Sequence, residues 1–201
     1  MLRLKDHWTR PEGPLGYYWF LTFETSPELN TLVSGSQEAI DYPYYDAAPL
    51  ASLHLTLDRI SNDPTSVGAD LESIERSATE VCREFEPFQI TVDHLNCFRS
   101  AVAFDVTPAQ RVRQLRDALR GATLHAFPAA SVKRGDTNPH ISIAYANVDD
   151  IAGDRVVEKM GQVNGKVGAA RVTVREATMV LLERRQRSYA WEVIARVPLA
   201  G

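Results

Sequence analysis

Residues 50–60 read LASLHLTLDRI. Leu53, Leu55 and Leu57 alternate here with Ser52, His54, Thr56 and Asp58, the two-residue period of a strand with one apolar and one polar face. On this reading His54 and Thr56 point the same way, and Asp58 shares their face. The arrangement recurs in NPHISIAYAN at residues 138–147, where His140 and Ser142 alternate with Ile141 and Ile143. Each half of the chain thus offers one imidazole and one hydroxyl on the polar side of a strand. Strict alternation turns Tyr145 away from His140. A third His-x-Thr, His7-Trp8-Thr9, lacks the flanking alternation and runs at once into Arg10-Pro11, which marks it as coincidence.

Outward from these two strands, the order of elements repeats. The first half reads as a strand at 16–24, then a helix opened by Ser26 as cap with Pro27 in its first turn and Leu29, Leu32, Val33 and Ile40 on one face. The His54 strand, a second helix over about 69–85 and strands at 88–95 and 101–106 complete it. The second half restarts with a helix opened by Thr107 and Pro108 and stopped at Gly121, followed by a loop and the His140 strand. A helix over about 150–161 comes next, and then ARVTVREATMVLLE and SYAWEVIARVPL as strands around a polar turn. Ser26-Pro27 corresponds to Thr107-Pro108 at a separation of 81 residues, Ile90-Thr91-Val92 to Val172-Thr173-Val174 at 82, and His54 to His140 at 86. This points to an internal duplication, with residues 1–201 as a single domain made of approximate repeat units 16–106 and 98–198.

At 201 residues, 44% hydrophobic and 24% charged, the chain has the makeup of a soluble globular protein with a sizeable core. Its two cysteines, Cys82 and Cys97, cannot build a disulfide framework and lack zinc-motif spacing. A cytoplasmic location is expected. No segment approaches the roughly 20 apolar residues of a membrane helix, and the N-terminus does not read as a secretion signal, so the expectation is a monomer with no membrane partner. The net charge is -4, yet the first hundred residues hold 7 Lys/Arg against 16 Asp/Glu and the remainder 15 against 10. Such a balance argues against a nonspecific DNA coater. The basic half leaves open either a local anion-binding surface or a solvated face.

The two tetrapeptides, His54-Leu55-Thr56-Leu57 and His140-Ile141-Ser142-Ile143, resemble the signature of the 2H phosphoesterase superfamily, which includes bacterial 2'-5' RNA ligase-like proteins and cyclic phosphodiesterases. That signature is His-hydrophobic-Thr/Ser-hydrophobic, present twice. The resemblance implies an α+β fold of two pseudo-symmetric lobes, each a mainly antiparallel sheet with helices, around a central cleft into which both motifs face. It implies catalytic roles for His54 and His140 and phosphate-binding roles for Thr56 and Ser142. The implied partner is a nucleotide or RNA end carrying a cyclic phosphate or a 2'-5' linkage.

Phosphodiester chemistry suits these side chains. One proton must leave the attacking oxygen and another must reach the departing one, and histidine serves for both near neutrality. Placed on opposite sides of one phosphorus, two imidazoles allow in-line displacement while hydroxyls hold the nonbridging oxygens. The scheme requires no metal and no cofactor, and the sequence offers no convincing metal cluster. Which histidine is acid and which is base is not written in the sequence. Lys133 and Arg134, in the loop PAASVKRGDTNP, either meet the phosphate or belong to a solvated loop. Tyr44, with Tyr42 and Tyr45, either stacks a base or packs against the protein. Arg184, Arg185 and Arg187 either track an RNA backbone or belong to a turn charged for solubility, the second being favoured. Beside the phosphoesterase stand two rivals: a noncatalytic nucleotide- or RNA-binding module with the same cleft, and a metal-dependent hydrolase.

Overall fold

The computed structural model describes residues 2–65, 68, 70–133, 135 and 138–200. Along the chain come β1 (Gly13–Thr22), α1 (Pro27–Ile40), β2 (Tyr45–Ala47), β3 (His54–Ser61), α2 (Leu71–Cys82), β4 (Phe88–Cys97) and β5 (Ala101–Thr107). There follow α3 (Ala109–Ala126), β6 (His140–Ala146), α4 (Asp154–Asn164), β7 (Ala170–Val174), β8 (Glu176–Arg185) and β9 (Ser188–Pro198). The strands form two antiparallel sheets in the orders β3-β1-β8-β9 and β2-β6-β5-β4-β7. Helices α2 and α3 cover the first sheet, and α1 and α4 cover the second. This is the two-lobed α+β architecture expected from the motifs.

The lobes interlock. Helix α1 leaves the first sheet to cover the second, α3 does the reverse, and β4 and β8 cross in the same way. Apolar side chains of both sheets therefore merge into one core, including Leu55 and Trp19 from the first and Ile141 and Phe104 from the second. Helix α2 buries Ile74, Ala78 and Cys82 at four-residue steps, the stripe that faces a core. Trp19 is wholly buried, and its Nε1–H donates to Thr123 Oγ1 on α3 at 3.0 Å, which satisfies the one polar atom of the indole. Gly16 sits where β1 runs over the end of β3. It has φ +107°, and a Cβ there would lie 2.0 Å from the Ser61 carbonyl oxygen, so no other residue fits without moving the backbone.

The structure departs from the expected elements at several points. Helix α3 runs through Gly121 to Ala126. Leu119, Ala122 and Thr123 continue its buried face, and this packing outweighs the roughly 1 kcal/mol a glycine costs a helix. Ser26 holds the cap position of α1 with Pro27 next to it, but its hydroxyl makes no cap hydrogen bond. The stretch ARVTVREATMVLLE is two strands, β7 in the second sheet and β8 in the first, divided at Arg175. Ile90 and Val172, matched above by sequence, are direct partners on the adjacent strands β4 and β7. Among the described residues, no helix is long and apolar enough to cross a membrane.

Candidate active site

Strands β3 and β6, which begin at His54 and His140, touch along the seam between the sheets. Both strands break their alternation at the same step. Phe20 pairs with Thr56 and Trp19 with Asp58, so Leu57 is an extra residue in β3. Ala103 pairs with Ser142 and Val102 with Ala144, so Ile143 is an extra residue in β6. Each is a bulge three residues after its histidine, and a bulge shifts the faces that follow it by one. Asp58 is therefore not on the face of His54. It turns to the helix side, buried to 1% exposure, and accepts from Arg120 Nε of α3 at 2.5 Å. Tyr145 is likewise brought round to the face of His140 and Ser142, with its hydroxyl beside Ser142.

The two imidazoles are held alike. The ring nitrogen Nδ1 of His54 lies 2.9 Å from the carbonyl oxygen of Ser52, and that of His140 lies 2.8 Å from the carbonyl oxygen of Asn138. A carbonyl only accepts, so each Nδ1 carries a hydrogen and Nε2 remains for proton exchange. His54 lies stacked on Phe20, with ring centroids 4.3 Å apart and planes 17° off parallel, and meets Trp191 edge-on at 5.3 Å. Burial against these rings lowers its pKa to about 4. The Ser52 carbonyl opposes that shift, and the nearby His140 and Lys133 add to it.

The hydroxyls and the loop complete the surroundings. Thr56 and His140 line one pocket together with Lys133, Asn138 and, from α3, Arg113 and Arg116. Lys133 is set there by Asp58, whose Oδ1 accepts the Lys133 backbone N–H at 3.0 Å. Arg134 lies outside the described residues. Tyr44 does not line this pocket. It stacks on Tyr42 at 5.0 Å, beside Tyr45, on the β2 side of the second sheet. Among the described residues, no three of His, Cys, Asp and Glu gather into a metal-binding group. A larger groove along α1 and α4 contains neither histidine.

Sequence reasoning missed several further contributors. The N-terminal segment lies against the site: His7 Nε2 is 2.7 Å from the Tyr189 hydroxyl, and Tyr189 in turn stands edge-on to His54 at 6.4 Å. His7 is thus part of an aromatic cluster with Trp8, Tyr145 and Tyr189. Arg184, read as part of a solvated turn, is 6% exposed and donates to the Trp8 carbonyl at 2.6 Å. Arg113 and Arg116 were hidden in the polar positions of α3. A signal for the aromatic wall was present in the spacing Tyr18-x-Phe20 and Tyr189-x-Trp191, which puts each pair on one face of its strand.

Burial lowers the pKa of His7 to about 4, as it does for His54, from an ordinary 6.5. Between these values the unfolded chain binds more protons than the folded one, so stability is greatest above pH 6.5 and is lost as pH falls toward 4. The His7→Gln variant is expected to lose less stability than wild type between pH 7 and pH 4.5, as read from urea midpoints at about these two values. Equal losses would mean that His7 does not titrate in this window.

Residues 27–186 match the family model for the 2'-5' RNA ligase superfamily. No curated protein sequence matches the chain. Among solved structures, TT0787 of Thermus thermophilus superposes with a TM-score of 0.69 at 14% identity, covering 92% of this chain and 98% of that one. Escherichia coli LigT in complex with 3'-AMP gives 0.64 at 14% identity, covering 94% and 99%. Usb1 of Kluyveromyces marxianus gives 0.58 at 12%, covering 91% and 97%. At these identities the likeness is one of fold. The match over most of the chain, together with two histidine motifs on strands that meet, makes this protein a member of the 2'-5' RNA ligase superfamily of 2H phosphoesterases.

Proposed function

We propose that this protein is a metal-independent phosphoesterase in which His54 and His140 act as general base and general acid on a 2',3'-cyclic phosphate or a 2'-5' phosphodiester of a nucleotide or RNA. Run in reverse, the same pair joins RNA ends. The observation that carries the reading is the matched placement of the two rings. Each is fixed through Nδ1 to the carbonyl two residues upstream, each opens one of two touching strands, and His140 is near enough to lower the pKa of His54. LigT, with the same fold, binds 3'-AMP, which supports a nucleotide as the ligand class. Both cysteines are free thiols, in keeping with work in the cytoplasm, and one chain supplies both motifs, so a monomer suffices.

In the hydrolytic direction, Nε2 of neutral His54 takes the proton of the attacking water as its oxygen bonds to phosphorus. Burial and the charge of Lys133 keep that imidazole neutral, which suits it for the base. Protonated His140 gives its Nε2 proton to the oxygen that leaves on the other side. Thr56, Ser142 and Lys133 hold the nonbridging oxygens, whose negative charge grows in the transition state. Replacing Lys133 by methionine is expected to raise KM about tenfold with a smaller change in kcat, since a charge that meets the phosphate in both ground and transition states acts mainly through binding. A KM equal to that of wild type would remove Lys133 from the site. Turnover of a panel of cyclic nucleotides and 2'-5' dinucleotides, with and without chelator, tests the whole reading. Chelator-resistant hydrolysis is expected; binding without turnover would favour the noncatalytic module, and activity restored only by added metal the metal-dependent hydrolase.

A further inference from the structure

The first sheet has a second, small apolar cluster apart from the main core, made of Tyr18, Phe20, Val180 and Leu182, with Trp191 and Tyr189 packed on it. Phe20 stacks on His54, so this cluster lies on the face of the sheet that carries the histidine. Trp191 is only half-buried there, held edge-on to Phe20 at 5.5 Å and to His54 at 5.3 Å. On the other lobe, Phe98 stands at the tip of the β4–β5 hairpin, 41% exposed and 5.4 Å from the ring of His140. Its backbone is not loose: Phe98 N–H donates to Ala101 O at 2.8 Å, Lys5 N–H to Arg99 O at 2.7 Å and Ala146 N–H to Ser100 O at 3.0 Å. Each histidine is thus flanked by one accessible, well-supported aromatic ring. An exposed, fixed aromatic face beside a phosphate site is what a nucleobase stacks on.

We propose that the cleft takes a substrate with a nucleoside on each side of the phosphorus, one base resting on Trp191 beside His54 and the other on Phe98 beside His140. The proposal rests on the acid–base reading above. When the 3'-hydroxyl beside a 2'-5' linkage displaces the 5'-oxygen, one histidine takes the hydroxyl proton, the other protonates the departing 5'-oxygen, and a 2',3'-cyclic phosphate is left. The entering and departing oxygens then belong to different nucleosides and point toward opposite histidines, so each base is carried to the aromatic ring on its flank. A 2',3'-cyclic mononucleotide has both ester oxygens on one ribose and leaves one ring unused. A 2'-5'-linked dinucleotide, or the same linkage within RNA, fills both. Trp191 lies outside the matched residues 27–186, so this half of the site is a feature of the chain beyond the family match.

The test compares 2'-5'-linked ApA with 2',3'-cyclic AMP in wild type, Trp191→Ala and Phe98→Ala, with thermal melting as a check on folding. Both alanine variants are expected to lose about tenfold in kcat/KM on ApA, the scale of one lost base–aromatic stack, and Trp191→Phe and Phe98→Tyr to recover most of it. One of the two alanine variants should lose far less on cyclic AMP than on ApA. A wild-type kcat/KM for ApA in either alanine variant, or equal losses on both substrates in both, would overturn the proposal. Equilibrium binding of ApA to the His140→Ala protein separates the two levels of the argument. Binding that weakens about tenfold when either Trp191→Ala or Phe98→Ala is added to His140→Ala, in both cases, alongside a wild type that turns nothing over, would retain the two-sided site and reject the acid–base reading; unchanged binding in one or both would reject the two-sided site.

Discussion

Replacing His54 or His140 by alanine is expected to lower kcat on a cyclic phosphate or 2'-5' dinucleotide by about 10²- to 10⁴-fold, the usual worth of a positioned proton donor or acceptor. The two losses should not add. Base and acid serve one transition state, so the double variant is expected to be little slower than the worse single one. The fold should survive, since both rings bond only to a backbone carbonyl through Nδ1 and project from the start of an otherwise intact strand. Single-turnover rates and melting curves on the same preparations check both statements. Undiminished hydrolysis by a folded single variant would reject the assignment.

The second large effect concerns Asp58. Its carboxylate accepts from Arg120 Nε at 2.5 Å, from the Lys133 backbone N–H at 3.0 Å and from the Arg59 backbone N–H at 2.8 Å, and so ties β3, α3 and the Lys133 loop together. The side chain of Asp58 is 1% exposed and that of Arg120 is 24% exposed, so removing the carboxylate leaves a partly buried cation and two backbone donors without their acceptor. The Asp58→Ala variant is expected to lose about 2–4 kcal/mol of stability and to show a raised KM as Lys133 is released. Asp58→Asn, which keeps the shape, should lose less. Urea unfolding of the three proteins reads the difference directly. A change within about 0.5 kcal/mol for the alanine variant, the range of ordinary surface substitutions, would show that the carboxylate is not a structural tie.

Much of the site was legible because its information is local. His54 with Thr56, and His140 with Ser142, lie within single strands, and the two-residue period is enough to put each pair on one face. The same period misplaced Asp58 and Tyr145, because a bulge is set by the pairing register with a neighbouring strand and not by the residues of the bulged strand alone. The partners β1 for β3 and β5 for β6 are distant in sequence. Nonlocality also hid the change of sheet between β7 and β8: the adjacent polar residues Arg175 and Glu176 interrupt the alternation, but nothing in them says that the hydrogen-bonding partner changes from β4 to β1 and β9. His7, Phe98, Tyr189 and Trp191 come to the histidines from a terminal segment, a hairpin tip and the last strand. Phe98, Tyr189 and Trp191 stand within no motif, and the His-x-Thr at His7 lacks the alternation that marks the other two. Gly121 misled for the opposite reason, since a local stop signal lost to the core contacts of α3.

The central claim is that the two imidazoles address one phosphorus from opposite sides. A crystal structure of the protein soaked with adenosine 2'-monophosphate tests it most directly. The account predicts a single phosphate between the motifs, with Nε2 of His54 and Nε2 of His140 each about 2.6–3.2 Å from a different oxygen of it. A phosphate held by one histidine alone, or bound away from both, would contradict it.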